Sequence, residues 1–354
     1  MTFLRNVWYV AAWDNEIKPE ELFARTLLNE SVLFFRDENG KVQAIENRCP
    51  HRFAPLSMGK LCGSQVQCAY HGLQFNGSGA CTHNPHGDGT IPRAAKVKAF
   101  PVVERYSLIW IWMGEPGSAD ESLIPDFSCM DPSHFYVAKR YLHARANYVL
   151  ESDNILDLSH IQFLHPSTLG GEGVSQSITS VEQKGDTVWS YRQTVAEIMP
   201  EFLYAAMEIP SGTPVDRWID VRWDAPACML LLAGAVPTGR PRSEGRETPM
   251  PHLFTPETDK TTHYWFSFQM PHEMGPMGVE IAEQQISALN QPFSTEDLPM
   301  LEAQQQMIGD ADFWALKPIL LHGDAGAVRA RRVLDKLIAD EVAAAGGERL
   351  IVQS

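Results

Sequence analysis

The sequence predicts an α+β chain of two domains: an all-β domain over residues 1–130, then a mixed α/β domain over residues 131–354 with a central antiparallel sheet flanked by helices. Three observations predict it. Short apolar runs separated by turn residues fill the first part of the chain. A polar stretch with proline at 126–132 marks a boundary. Segments of helical period occur only beyond it. A chain of 354 residues is long enough to bury two cores.

The elements follow in order. Val7-Trp8-Tyr9-Val10-Ala11-Ala12-Trp13 is short and runs into Asp14-Asn15-Glu16, so it reads as a first strand and not as a signal peptide. Leu33-Phe34-Phe35-Arg36 and Val42-Gln43-Ala44-Ile45 flank Asp37-Glu38-Asn39-Gly40, a hairpin with a glycine in its turn. Leu73-Gln74-Phe75-Asn76-Gly77 begins another hairpin. Leu108-Ile109-Trp110-Ile111-Trp112 is a buried strand closed by Gly114 and Pro116, with both tryptophans in the core. Beyond the boundary, 147–161 reads as helix, 181–207 and 218–236 as strands with irregular joints, and 279–290 and 302–309 as helices. The stretch 327–345 places Val328, Val333, Leu334, Leu337 and Ile338 near helical spacing, and Arg329, Arg331 and Arg332 read as its solvated face.

Bulk composition excludes several classes. The net charge of −15 argues against nucleic acid and against anionic membrane surfaces. Six cysteines are too few for a disulfide scaffold. No apolar run approaches the ~20 residues that span a bilayer. These features predict a soluble cytoplasmic enzyme.

Two short runs carry chemistry. Cys49-Pro50-His51 and Cys68-Ala69-Tyr70-His71 each supply one thiolate and one imidazole. Two Cys with two His is the ligand set of a Rieske [2Fe–2S] centre, in which Cys49 and Cys68 hold one iron and His51 and His71 the other. The alternative is a Cys₂His₂ zinc site, although zinc fingers group like ligands together, as C-x₂₋₄-C and H-x₃₋₅-H. Cys62 and Cys81 fit neither spacing and read as ordinary small residues.

A second constellation runs from Asp153 to Pro166. On one continuous helix Asp153, Asp157 and His160 would share a face. His165 lies five residues beyond His160, about 140° round an ideal helix. Both imidazoles reach one metal only if the helix ends between them, and Pro166 gives a reason for it to end. Two imidazoles and one carboxylate make the facial triad of non-haem Fe(II). A plain polar helix face is the alternative; an electron store upstream favours the iron reading. Gly170-Gly171-Glu172-Gly173 lacks the spacing of a dinucleotide-binding loop, so electrons would come from a separate NAD(P)H-dependent reductase, one that can carry its own plant-type ferredoxin domain. A pure Rieske electron carrier would leave the residues after the first domain idle. The carriers with a disulfide beside the cluster have further cysteines near the places where Phe53 and Ala69 stand here.

These residues resemble a known family. Cys-Pro-His-Arg, Cys-x-Tyr-His-Gly and Asn-x-x-Asp-x-x-His-x-x-x-x-His look like the Rieske non-haem iron ring-modifying oxygenases. Trp8-Tyr9-Val10-Ala11, Arg52-Phe53-Ala54-Pro55-Leu56-Ser57, His83-Asn84-Pro85-His86-Gly87, Phe100-Pro101-Val102-Val103-Glu104-Arg105 and Leu253-Phe254-Thr255-Pro256-Glu257-Thr258 are similar to the oxygenase components of the vanillate and dicamba O-demethylase type. The resemblance implies a [2Fe–2S] cluster on Cys49, His51, Cys68 and His71. It implies a mononuclear iron on His160 and His165, with Asp297 as carboxylate ligand and Glu296 as its rival. It implies that Asp157 links a cluster histidine of one subunit to the iron site of the next, hence a homotrimer, and that Asn154 stands near the iron. For substrate it implies a contact at His252. It also places Leu231 where an Asn, and Ala288 where a Trp, would contact a dicamba-like substrate; Leu230, Leu231 and Leu232 suggest an apolar wall. The implied activity is monooxygenation by O₂ of a small aromatic acid, foremost O-demethylation of a methoxybenzoate to a phenol and formaldehyde, with hydroxylation of a methyl or ring carbon as the alternative.

Overall fold

The computed structural model describes residues 3–169, 177–199 and 201–352. Gly170 to Gly173 lie outside them. The chain divides into two compact units, residues 1–126 with 255–259, and residues 127–254 with 260–354.

The first unit is built of short strands: β1 (Trp8–Trp13), β2 (Phe23–Leu27), β3 (Glu30–Arg36), β4 (Val42–Glu46), β5 (Lys60–Cys62), β6 (Gln65–Gln67), β7 (Gln74–Asn76), β8 (Cys81–His83), β9 (Ala99–Phe100), β10 (Val102–Arg105) and β11 (Leu108–Trp112). They form three sheets, ordered β1-β11-β10, β2-β3-β4-β9 and β5-β6-β7-β8. The β3–β4 hairpin turns where Asp37 Oδ1 accepts the N–H groups of Asn39 and Lys41, a local acceptor that favours a turn over a ladder. Trp110 and Trp112 are buried, and each indole N–H is satisfied by a backbone carbonyl, of Arg105 and Glu115 respectively. A core of Leu33, Phe35, Ile45, Leu56, Val66 and Phe75 includes Cys49 and Cys68.

The second unit carries one antiparallel sheet of seven strands: β12 (Phe135–Ala144), β13 (Ile178–Lys184), β14 (Thr187–Glu197), β15 (Val215–Asp224), β16 (Cys228–Pro237), β17 (Arg246–Thr258) and β18 (Thr261–Pro271), in the order β12-β18-β17-β16-β15-β14-β13. Its helices are α1 (Tyr148–Leu156), α2 (Ile161–Leu164), α3 (Glu201–Met207), α4 (Gly275–Pro292), α5 (Leu298–Ile308) and α6 (Ala325–Val352). None of these helices is long and apolar enough to cross a membrane.

Three sequence expectations need correction. Residues 201–207, expected as strand, are the helix α3, in which Tyr204 and Met207 pack on Met199, Val215 and Ala235; Glu, Leu, Ala and Met there are good helix formers. The helix expected over 147–161 stops at Leu156. Asp157 takes extended angles (φ −117°, ψ 93°), and its side chain accepts the Ser159 N–H to start a new 3₁₀ turn over Leu158–His160. Asp competes with the helix in this way because its short side chain caps the next turn. Finally, Arg331 is not part of a solvated face. Its guanidinium donates to both oxygens of Asp153 on α1, at 3.0 and 2.9 Å from Nε, and lies 3.9 Å from the Phe313 ring centre.

Glu151, on α1 six residues before Asp157, is 3% exposed. Burial, with the Asp297 and Glu302 carboxylates adding to it, lifts its carboxyl from 4.5 to about 8.

Two stability outcomes follow. Arg331→Met leaves the half-buried Asp153 carboxylate without its cation and should cost about 1–3 kcal/mol, seen as a melting midpoint lower by roughly 2–12 °C; adding Asp153→Leu should recover part of the loss. For Glu151 the folded carboxyl holds its proton more tightly than the unfolded one. Its contribution is therefore present below pH 4.5 and lost as pH rises through 8. In urea melts of metal-free protein at pH 5, 7 and 9, Glu151→Gln should abolish a decline on the order of 4 kcal/mol.

Candidate active site

The break at Asp157 aims the first imidazole. With α1 ended, His160 sits in the 3₁₀ turn, and its Nδ1–H donates to the Asp157 backbone carbonyl at 2.8 Å. That bond fixes the tautomer and leaves Nε2 with a free lone pair. A second short helix, α2, follows and ends at His165 (φ −115°, ψ 42°), directly before Pro166. His165 is 1% exposed, and its Nδ1–H donates to Glu296 Oε2, which also accepts the Thr168 hydroxyl at 2.8 Å. The two rings lie 5.3 Å apart at 68°.

The carboxylates come from far along the chain. Between α4 and α5 the backbone opens into one π-helical turn, Phe293–Asp297, closed by the Leu298 N–H on the Phe293 carbonyl. Pro299 has no N–H to continue the α pattern there. The Ser294 and Thr295 hydroxyls donate back to the Asn290 and Gln291 carbonyls. This turn places adjacent carboxylates on opposite nitrogens of one ring: Glu296 on His165 Nδ1, and Asp297 Oδ1 at 3.2 Å from His165 Nε2. The same Asp297 Oδ1 lies 3.5 Å from His160 Nε2 and accepts the Asn154 amide N–H at 3.0 Å.

His160, His165 and Asp297 each offer an atom within 4.8 Å of the others, the one such three-donor group among the described residues. Glu296 is outside it. Burial lowers the His160 pKa against the pull of Asp297. At His165 burial also lowers it, but hydrogen bonds to Asp297 and Glu296 prevail and raise it. Two imidazole Nε2 atoms and one carboxylate, each held from behind, are the donor set of a non-haem Fe(II) site.

Asp157 reaches His160 through its backbone only. Its carboxylate accepts the Ser159 N–H and hydroxyl and the Arg192 guanidinium at 3.2 Å. Gly323 packs against it, where a Cβ would stand 2.5 Å from Oδ1.

A cavity of about 600 Å³ opens on the three-donor group. Its floor is the sheet. Side chains alternate along each strand, so cross-strand partners form rows: Met229 with His252, Leu231 with Met250, and Ile219 with Ala233 and Thr248. Arg217 and Arg246 stand at the far end, paired with Glu197 and Glu208. Leu231 lines the cavity, but Leu230 and Leu232 point to the other face, so the wall is not a run of three leucines. On α4 the lining positions are Ile281, Gln285 and Leu289, one helical turn apart. Ala288 is exposed and does not line the cavity, since a one-residue step turns the side chain about 100° away.

His252 is buried and lines the cavity; burial lowers its pKa to about 4, so the ring is neutral. Thr168, Arg192 and Tyr264 escaped the sequence reading.

In the first unit, the two Cys/His loops are the same turn built twice. Phe53 N–H bonds to Cys49 O and Cys49 N–H to Ala54 O; Gly72 N–H bonds to Cys68 O and Cys68 N–H to Leu73 O. The fifth residue of each is left-handed, Phe53 at φ 58° and Gly72 at φ 73°. Both thiols are buried, and burial, with Cys68 close by, pushes Cys49 up to about 11. The His51 and His71 rings lie 4.4 Å apart, nearer solvent. A thiol pair inside and an imidazole pair outside is the division a two-iron Rieske centre requires. Burial, with His51 next, lowers the His71 pKa, and its carbonyl lies 2.8 Å from His86 Nε2.

Residues 7–101 match the Rieske [2Fe-2S] domain family, and residues 144–340 match the vanillate O-demethylase oxygenase C-terminal domain family. The chain is 39% identical to the toluene-4-sulfonate monooxygenase system iron-sulfur subunit TsaM1 of Comamonas testosteroni, over 96% of this chain and 98% of that one. It is 38% identical to the dicamba O-demethylase oxygenase component of Stenotrophomonas maltophilia, over 95% and 98%. A crystal structure of dicamba monooxygenase bound to 3,6-dichlorosalicylic acid superposes with a TM-score of 0.89 at 36% identity, covering 97% of this chain and 100% of that one. The two-domain α+β fold, the Rieske cluster and the non-haem iron are therefore those of an oxygenase component, and the chain belongs to the Rieske non-haem iron oxygenases of the vanillate O-demethylase type.

Proposed function

We propose that this chain is the terminal oxygenase component of a system that O-demethylates a small methoxylated aromatic acid. The observation that carries this reading is the apolar cavity that opens on the His160–His165–Asp297 group and holds His252 as a buried polar anchor. When loaded, the cluster stores single electrons and the mononuclear iron activates O₂. Cys49, Cys68, His51 and His71 would hold the cluster, within a domain spanning residues 1–130. His160, His165 and Asp297 would hold the iron, within one spanning 131–354. Asn154 orients Asp297, and Glu296 with Thr168 orients His165. The apolar walls exclude water from the ring, and His252 anchors an oxygen of the substrate. Hydroxylation of the methyl group gives a hemiacetal, which collapses to a phenol and formaldehyde.

Oxidation of a methyl carbon on a similar aromatic is the second reading, favoured by the toluene-4-sulfonate monooxygenase relative. The electrons come from a separate NAD(P)H-dependent, ferredoxin-type reductase, in keeping with relatives that are components of multi-protein systems. We place the enzyme in the cytoplasm as a homotrimer in which Asp157 connects one subunit's iron site to its neighbour's cluster. The Arg192 and Ser159 contacts hold that carboxylate in place.

Four measurements test these assignments. Dithionite should give the protein an electron-spin signal with the low average g-value of mixed His/Cys ligation; a colourless zinc protein overturns the cluster. Iron analysis should find the two irons of the cluster plus one. His160→Ala, His165→Ala and Asp297→Ala should each lose the last one and keep the Rieske absorbance. Glu296→Gln should keep it with affinity about 10–100-fold weaker. Asp157→Asn should hold all its iron and reduce its cluster, yet fail to reoxidise it with substrate and O₂ present; co-assembly with a His51→Ala chain should restore turnover. Formaldehyde release and NADH use across a panel of methoxybenzoates, with a matched reductase, decides between the two reactions.

A further inference from the structure

The two ring nitrogens of His252 have unequal surroundings. Nδ1 stands 2.7 Å from the Tyr264 hydroxyl oxygen. Nε2 is buried and has no hydrogen-bond partner among the described residues, on a side chain that lines the cavity. The ring is clamped: Tyr264 stacks on it at 5.9 Å and Phe293 meets it edge-on at 5.5 Å.

Tyr264 is confined as well. It is 3% exposed, with the Phe254 ring at 4.5 Å and the Phe266 ring at 5.0 Å. Burial raises its pKa well above the usual phenol value, so it keeps its proton. His252 Nδ1 is the hydroxyl's one hydrogen-bond partner among the described residues. A buried O–H left without an acceptor is costly, and a phenol has one proton to give. The hydroxyl therefore donates to Nδ1. A neutral imidazole carries a single N–H, which leaves it on Nε2.

We propose that Tyr264 is a positioning residue that locks His252 in the Nε2–H tautomer, so that this ring presents a neutral donor to the cavity and selects ligands with an acceptor oxygen there. The class is set by that chemistry: an ether, carboxylate or phenolate oxygen is accepted, and a methylene or a second donor at the same place is rejected. A donor in an apolar wall discriminates because a ligand without an acceptor leaves the N–H unpaired. The inference rests on the reading of this cavity as the substrate site.

The test uses the cluster- and iron-loaded enzyme and two neutral probes of one shape, 1,4-dimethoxybenzene and 1,4-diethylbenzene, which carry an acceptor at both ends or at neither. Anaerobic titration gives a Kd for each. The wild type should prefer the dimethoxy compound by about tenfold or more. In Tyr264→Phe that preference should fall to within about twofold of parity, while the Kd for diethylbenzene moves less than about twofold. A preference that survives Tyr264→Phe, with diethylbenzene binding intact, overturns the proposal, as does a wild type with no preference. Should Tyr264→Phe lose both probes by collapse of the wall, 3-fluorotyrosine at position 264 keeps the shape and makes the phenol a stronger donor. The preference should then rise, and an unchanged ratio overturns the proposal. The titrations need no turnover, so an enzyme that proves not to be an O-demethylase leaves this result interpretable.

Discussion

Asp297 is a carboxylate at 6% exposure, and much of the second unit is organised around it. An unpaired buried charge costs several kcal/mol even after relaxation. Its compensation arrives from the Asn154 amide on α1 and from His165, whose pKa it raises, while the His160 Nε2 lone pair faces it and calls for a cation between them. Asn154 and Asp297 are 143 residues apart in sequence. Bringing the three donors together requires that α1 stop early and that the α4–α5 rod widen by a turn. Each of these departures from regular structure sits next to a donor atom. Rigid, pre-set donors are what a metal site with open positions needs, since a floppy carboxylate would swing to fill them.

The sequence made the donors legible and the backbone that aims them less so. Cys49-Pro50-His51, Cys68 to His71 and the His160/His165 pair stand out because their residue types are rare and their spacing is short. Strand patterns such as Leu108–Trp112 were plain for the same reason of local periodicity. The break at Asp157 leaves no mark in the sequence, because a polar Asp at i+4 fits a continuous helix until its side chain caps the next turn. Residues 201–207 pass for a strand because a short apolar run has no decisive period. Arg331 could not be paired with Asp153 from sequence, since 178 residues separate them. Resemblance placed Ala288 one step off the lining face of α4, an error that only the helix phase reveals.

The two cysteine loops differ in one instructive respect. They share a hydrogen-bond pattern and a left-handed fifth residue, but one uses glycine and the other phenylalanine. Glycine adopts that conformation freely, whereas a side chain raises the cost by about 1–2 kcal/mol. The Phe53 ring is 70% exposed and lies 5.9 Å from the Arg48 guanidinium carbon, so little burial offsets its strain. Its loop is held chiefly by the Ala54 and Cys49 backbone bonds.

The rows of the sheet give the cavity a graded depth. Each step of two residues along a strand moves the lining side chain about 6–7 Å from the His252 row, through Leu231 with Met250 to Ala233 with Thr248. His160, His165 and Asp297 stand on helical turns or their ends, and the rows on strands. A lineage can therefore change what fits at one depth by exchanging a single side chain, without disturbing the iron. Divergence by such local exchange is compatible with relatives of 38–39% identity whose names attach to toluene-4-sulfonate and to dicamba.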